Sequence, residues 1–130
     1  MNTSILVITA IIAAVGTMGS FSTPAHAFDL FDSYYLGLDY PQTYRSYNVT
    51  GLDTNTGYLA TIALSKVDCS TQPGGLIVRA VVEKVHTPQG WIDVQRPTWM
   101  GNNIDIIKFS LNAVGRCNIN AGAIIFKLSS

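Results

Sequence analysis

Residues 58–67 (YLATIALSKV) and 76–85 (LIVRAVVEKV) are the two stretches that decide the fold class of this 130-residue chain. In both, apolar and polar side chains alternate with a period of two, which is typical of a strand with one buried face. Ile62 falls on the apolar face of the first stretch. In the second stretch Val78 falls on the apolar face and Arg79 on the polar face.

Turn signals separate these two strands from four further candidates. The tetrapeptides at 72–75 (QPGG) and 87–90 (TPQG) are predicted turns, because proline presets φ and glycine accepts a positive φ. The further strands are predicted at 46–51, 91–94, 104–111 and 119–128. About six short strands without a convincing helix predict an all-β domain, either a small antiparallel β-sandwich or a small barrel.

Parts of the chain around these strands lack a clear period. Residues 28–47 hold five of the six tyrosines and are expected to form an irregular, aromatic-rich lead-in. Residues 96–103 are expected to form a loop. Within the predicted strand that follows, the apolar side chains change parity between Ile106 and Ile107, which predicts a β-bulge at that point.

An apolar run at residues 5–15 precedes these elements and is followed by Ala-His-Ala at 25–27. Its length fits the h-region of a signal peptide, and the small residues suit cleavage before Phe28. It falls well short of the roughly 20 apolar residues that span a bilayer. The sequence therefore predicts a cleaved signal peptide at 1–27 and one secreted or periplasmic domain at 28–130, without stable membrane insertion.

Cys69 and Cys117 are the two cysteines of the chain, and both follow the predicted leader. In an exported protein, two cysteines far apart in sequence usually pair. We expect one disulfide, which closes a long loop and stabilises the fold by about 4 kcal/mol in the chain-entropy model. Since Cys69 follows one predicted strand and Cys117 precedes the last, the bridge is expected to join two loop ends at one pole.

The charged residues exclude several classes of partner. Eight basic and eight acidic side chains give a formal net charge of zero, and all of them follow the leader. They are scattered along the sequence, whereas nucleic acid or an anionic membrane surface selects a basic patch. Neither partner is therefore expected, and no sequence motif indicates a cofactor.

His86 is the one histidine after the leader, and Glu83 is the one glutamate. Residues three apart on a regular strand point to opposite faces, so these two side chains need not meet. A catalytic triad is recognised by geometry rather than by sequence, but the chain has no G-x-S-x-G motif. A turn-edge histidine without a catalytic role is the favoured interpretation.

Residues 53–57 (DTNTG) match the start of a calcium loop. An EF-hand needs oxygen ligands at the fifth and twelfth positions, which are Gly57 and Leu64 here. A hairpin turn is the better interpretation, and no metal site is predicted. Asn48 begins a glycosylation sequon, which has meaning only in a eukaryotic host.

Aromatic side chains are the most suggestive feature of the sequence. Tyrosine and tryptophan supply a large rigid contact area with a polar tip, which suits protein interfaces and stacking against sugars. Trp99, in the predicted loop at 96–103, is expected to be exposed. Packing in the core or at a sheet edge is the alternative for the whole set. The candidate binding residues are Trp99, Trp91, Tyr34, Tyr35, Tyr40 and Tyr44.

These patterns favour a non-enzymatic, secreted or periplasmic domain that binds a protein or a glycan through loop aromatics. Two alternatives from other classes stay open at this point. One is a small secreted hydrolase that uses His86 with an aspartate or a serine. The other is a structural or inhibitory protein of the cell envelope.

Overall fold

Eight β-strands make up the computed structural model, which describes residues 28–70 and 77–128. The predicted signal peptide at 1–27 and the predicted turn at 72–75 lie outside the described residues. The strands are β1 (Phe28–Leu38), β2 (Tyr44–Val49), β3 (Tyr58–Cys69), β4 (Ile77–Thr87), β5 (Gly90–Arg96), β6 (Thr98–Gly101), β7 (Ile106–Val114) and β8 (Cys117–Leu128). The predicted all-β class is confirmed, with eight strands instead of six.

The strands form two antiparallel, four-stranded sheets. Sheet 1 has the strand order β1-β8-β3-β6, and sheet 2 has the order β2-β7-β4-β5. Among the described strands only β4 and β5 follow each other within one sheet, and the turn at 87–90 joins them as predicted. There Thr87 holds the turn through its hydroxyl, which donates to the carbonyl of Gly90 at 3.0 Å.

The core lies between the two sheets, which makes the fold sandwich-like. Successive side chains of a strand point to opposite faces, so alternate residues of each central strand turn inward. In β8 these inward residues include Ile119 and Ile125, and in β7 they include Ile107, Phe109 and Leu111. All five side chains are almost completely buried in one cluster that both sheets share.

The interpretation of residues 28–47 as an irregular lead-in was wrong, because residues 28–38 form β1 and, after a short turn, β2 begins at Tyr44. Two features hide β1 from a period-two search. It carries apolar side chains on both faces, such as Tyr35 outside and Leu36 against the core. A bulge between Leu30 and Asp32 also shifts its period by one residue.

The predicted loop at 96–103 contains the short strand β6, so Trp99 lies on a strand rather than in a loop. The β-bulge predicted between Ile106 and Ile107 was also wrong. Strand β7 begins at Ile106, and Ile104 reaches the core from the preceding connection. Ile104 and Ile107 are both buried although they lie three residues apart, because only Ile107 belongs to the strand.

The predicted disulfide between Cys69 and Cys117 is confirmed. The two residues are direct partners in the pairing of β3 with β8, so the bridge joins neighbouring strands of sheet 1 rather than two loop ends. A disulfide is compatible with an oxidising compartment. Within the described residues, no helix is long and apolar enough to cross a membrane.

Gly101 provides a test of the packing around β6. A Cβ atom at this position would lie 2.6 Å from Cζ2 of Trp99, whose ring packs against the core. We expect Gly101→Ala to lower the free energy of unfolding by about 1–3 kcal/mol, because the indole would have to move within a packed core. Urea denaturation followed by tryptophan fluorescence measures the change.

Gly122→Ala is the matched control, since a Cβ atom at Gly122 meets no heavy atom within 4 Å. Its free energy of unfolding should stay unchanged or rise slightly, because alanine restricts the unfolded chain more than glycine does. Equal destabilisation by the two substitutions would contradict the packing of Trp99 under Gly101.

Candidate binding site

A β-bulge in β4 brings the polar side chains of sheet 2 together. Val82 pairs with Phe109 and Lys84 pairs with Lys108, so Glu83 is the extra residue between them. The bulge places Glu83 on the outer face of sheet 2, on which His86 also lies. The expectation that Glu83 and His86 point to opposite faces was therefore wrong, because it assumed a regular strand.

Glu83 is the centre of a small polar cluster. Its carboxylate accepts a hydrogen bond from the hydroxyl of Tyr44 at 2.6 Å, and Lys108 Nζ lies 4.0 Å from its other oxygen. The Glu83 side chain is only 13% exposed, whereas Tyr44 is partly open to solvent. The hydrogen bond to Glu83 is the main cause that raises the pKa of Tyr44, and desolvation adds to it.

Trp91 extends this cluster towards the β4–β5 hairpin. It is the cross-strand partner of His86, and the two ring centroids lie 4.9 Å apart in an edge-to-face arrangement. Lys108 Nζ lies 5.8 Å from the centroid of the indole ring. The indole is thus fixed by two neighbours, yet 45% of Trp91 stays exposed to solvent.

Asp105 contacts His86 from the side opposite to Trp91 along the chain of polar contacts. Its carboxylate Oδ1 lies 2.7 Å from His86 Nδ1, and its backbone N–H donates to the carbonyl of His86 at 3.0 Å. The imidazole is held in one orientation, with Nε2 as its remaining nitrogen. We define the Trp91 face as the six residues Tyr44, Glu83, His86, Trp91, Asp105 and Lys108.

The Trp91 face combines a flat aromatic ring with donors and acceptors on a rigid sheet. Such a surface can stack against an apolar face of a ligand and bind its polar groups at the same time. The charged residues on and beside this face balance, three cations against three anions. They are Arg79, Lys84, Lys108, Glu83, Asp93 and Asp105.

The His86–Asp105 pair has the arrangement of a base and its orienting carboxylate. Within the described residues, no serine, threonine or cysteine side chain is hydrogen-bonded to His86. The described part of the chain also holds no group of three or more histidine, cysteine, aspartate or glutamate side chains placed to bind a metal ion. The pair can take a proton from water but has no attached nucleophile.

The aromatic residues predicted as one binding set lie in separate places. Tyr44 and Trp91 belong to the Trp91 face, whereas Trp99 packs against the core. Tyr35 lies on the outer face of sheet 1 and is 74% exposed. Tyr34 packs against the ring of Tyr47 and donates to Asp32, and Tyr40 lies in the β1–β2 turn beside Arg116.

Residues 53–57 form a turn without the predicted hairpin, because they connect β2 of sheet 2 to β3 of sheet 1. The carboxylate of Asp53 accepts hydrogen bonds from the backbone N–H of Asn55 at 2.9 Å and from the hydroxyl of Thr56 at 3.1 Å. Its oxygens therefore cap the turn itself.

The sequence alone did not point to Glu83, Asp105 or Lys108 as site residues. One signal for Glu83 was present, because Val82 and Val85 are both apolar although they lie three residues apart. A regular strand would turn the two valines to opposite faces, so a bulge between them is the way to place both in the core between the sheets. No sequence signal was available for Asp105, which meets His86 only through the pairing of β4 with β7.

The Tyr44–Glu83 hydrogen bond can be tested by alkaline titration. We expect Glu83→Gln to lower the pKa of Tyr44 towards its ordinary value, because the charged acceptor that favours the protonated phenol is lost. Near-ultraviolet absorbance of the phenolate gives the titration curve, and Tyr44→Phe assigns the step. A Tyr44 titration that Glu83→Gln leaves unchanged would contradict this hydrogen bond.

The raised pKa of Tyr44 also determines how the stability of the fold depends on pH. A raised pKa in the folded state means that the Tyr44 hydrogen bond stabilises the fold below the ordinary tyrosine pKa and is lost as the pH rises through the folded value. Tyr34 is the internal control. Burial and then its hydrogen bond to Asp32 raise its pKa to about 12, and Glu83→Gln should not change that value.

Comparisons with known proteins found no match: no family model, no curated protein and no solved structure matches this chain. The residues of the Trp91 face are therefore the basis on which a function is proposed.

Proposed function

We propose that this chain is an exported, non-enzymatic binding domain that takes a neutral saccharide on the Trp91 face. The observation that carries the proposal is the half-exposed indole of Trp91, held by His86 and Lys108 on the edge strand β5 of a polar sheet face. A solvent-exposed tryptophan that is already fixed costs little side-chain entropy when a ligand stacks on it.

The chemistry of the Trp91 face supports a sugar ligand. A pyranose ring has one apolar face of C–H groups, which packs onto an indole, and hydroxyls that need donors and acceptors beside it. Carboxylates of Glu83 and Asp105 accept hydrogen bonds, and Lys108 and the free nitrogen of His86 are the matching polar groups. The balance of charge around Trp91 favours a ligand without net charge.

Export is part of the proposal. The apolar run at 5–15 fits a signal peptide, and the Cys69–Cys117 disulfide is compatible with a periplasm or an extracellular space. Extracellular and envelope polysaccharides are the neutral saccharides that a protein meets in those compartments.

Trp91→Ala is the decisive variant for saccharide binding. Native gels cast with a panel of neutral glucans, mannans and xylans should retard the purified parent protein. Loss of the indole should weaken the affinity for the retarding polysaccharide by about thirtyfold, the cost of about 2 kcal/mol that is typical of a binding hot spot. Trp91→Phe should keep part of the retardation, because a smaller ring still stacks.

Tyr40→Ala is the matched control, since Tyr40 is an exposed aromatic residue of the β1–β2 turn and lies outside both sheets. It should leave the retardation unchanged, and circular dichroism should show that all three variants fold. The proposal fails if no polysaccharide retards the parent protein, or if Tyr40→Ala weakens retardation as much as Trp91→Ala does.

A small hydrolase is the second candidate, and the His86–Asp105 pair is the observation that favours it. In that case His86 would act as a general base on water, and Asp105 would keep the proton of the imidazole on Nδ1. Chromogenic esters, phosphodiesters and glycosides test the two candidates against each other. We expect no turnover, and a turnover that His86→Gln abolishes would replace the binding proposal.

A further inference from the structure

The outer face of sheet 1 is apolar at its centre, although it points away from the core. Leu59 and Phe126 are direct partners in the pairing of β3 with β8, and both are buried in a small cluster of their own. Phe28 and Ile124 pack against them. Strand positions that face solvent usually carry polar side chains, so a second apolar cluster outside the core needs an explanation.

The uncharged face is defined here as four rows of the outer face of sheet 1. The rows run across the strands through Phe28, Leu30, Ser33 and Tyr35 of β1. Their partners on the neighbouring strands are Leu128, Phe126, Ile124, Gly122, Leu59, Thr61, Ala63, Met100 and Thr98. None of these thirteen described residues carries a charge. The next rows of the same face carry Lys66 and Asp68, and six charged side chains lie on or beside the outer face of sheet 2.

The uncharged face has both protrusions and a recess. Leu30 is 63% exposed, and Met100 and Tyr35 are also largely open to solvent. At one corner a recess of about 210 Å³ is lined by apolar groups, among them Phe28 and Leu128. Its volume suits one or two apolar side chains of a partner surface.

We propose that the uncharged face binds the same face of a second copy of this chain. A two-fold contact buries the same patch on both copies, so every charged side chain of that patch is buried twice and needs an opposite charge on the partner patch. The uncharged face carries no such side chain in the part of the chain that the structure describes. It can therefore stack on itself without burying a charge.

Other surfaces of the domain are less suited to a two-fold contact. The free edge of β1 carries Asp29 and Asp32 and no basic residue, so an antiparallel pair of β1 edges would bring carboxylates together. The outer face of sheet 2 has six charged side chains on or beside it, which a contact through that face would remove from water. Charge thus favours the uncharged face as the self-association surface.

The available area is of the right order for a weak dimer. The thirteen positions, on strands about 4.8 Å apart and in rows about 6.6 Å apart, cover roughly 400 Å² of flat sheet. Side chains that stand on the sheet expose more surface than this flat projection, so the contact lies below the roughly 800 Å² per partner of a standard interface and in the range of weak, transient ones. Stacked sheets pack about 10 Å apart, so the protruding side chains of one copy can enter the recess of the other.

Sedimentation equilibrium of the purified protein and its Leu30→Lys variant tests the proposal. At about 0.1 mM, where even contacts with a Kd of tens of micromolar are populated, the parent protein should have twice the mass of one chain. Leu30→Lys should shift the mass to that of a monomer, because two lysines would be buried against an apolar face. Tyr35→Lys, at a still more exposed position of the same face, should have the same effect.

Val114→Lys is the matched control, since Val114 is an apolar residue of sheet 2 that is 50% exposed. It should leave the dimer mass unchanged, and thermal unfolding should show that the three variants fold. A monomeric parent protein overturns the proposal, as does a dimer that Leu30→Lys and Tyr35→Lys leave intact. The dimer proposal does not rest on saccharide binding. A monomeric parent protein would therefore leave the saccharide proposal unaffected.

Discussion

Strand β8 lies between β1 and β3, and both faces of sheet 1 depend on its register. Ile125 points into the core, whereas its neighbour Phe126 lies on the outer face against Leu59. A slip of one residue would exchange these two sets of side chains. The Cys69–Cys117 disulfide joins opposite residues at one end of this pairing. It therefore fixes the register of β3 and β8 in addition to closing a loop.

The bulge in β4 solves a comparable problem in sheet 2. Val82 and Val85 are both buried, although an odd number of steps separates them. A regular strand would turn one of them outward, or would bring Glu83 to the core side, where an unpaired carboxylate is costly. The bulge lets both valines stay inside and places Glu83, its extra residue, outside, where Tyr44 and Lys108 bind it. Packing of the core thus determines the composition of the Trp91 face.

Alternation located the central strands, because the inner face of each is buried and the period of two follows directly, but it missed the bulge in β4. It failed for β1, an edge strand whose bulge and two apolar faces break that period. The candidate site was predictable only in part. Trp91 and Tyr44 stood out as aromatic residues, but their neighbours come from strands far apart in sequence. Such contacts depend on strand order and register, and neither can be deduced from the spacing of residues such as His86 and Asp105.

The uncharged face of sheet 1 and the Trp91 face of sheet 2 lie on opposite sides of the sandwich, and this arrangement links the two proposals. Two copies stacked through sheet 1 would point their Trp91 faces in opposite directions, away from the shared interface. Sites so placed cannot engage neighbouring units of one short sugar chain, so the dimer would gain little avidity on a single strand. It would instead connect two separate polysaccharide chains. Under the two proposals together, the protein would act both as a saccharide-binding domain and as a structural protein of the envelope, because a dimer that cross-links glycan chains would contribute to the architecture of the layer it binds.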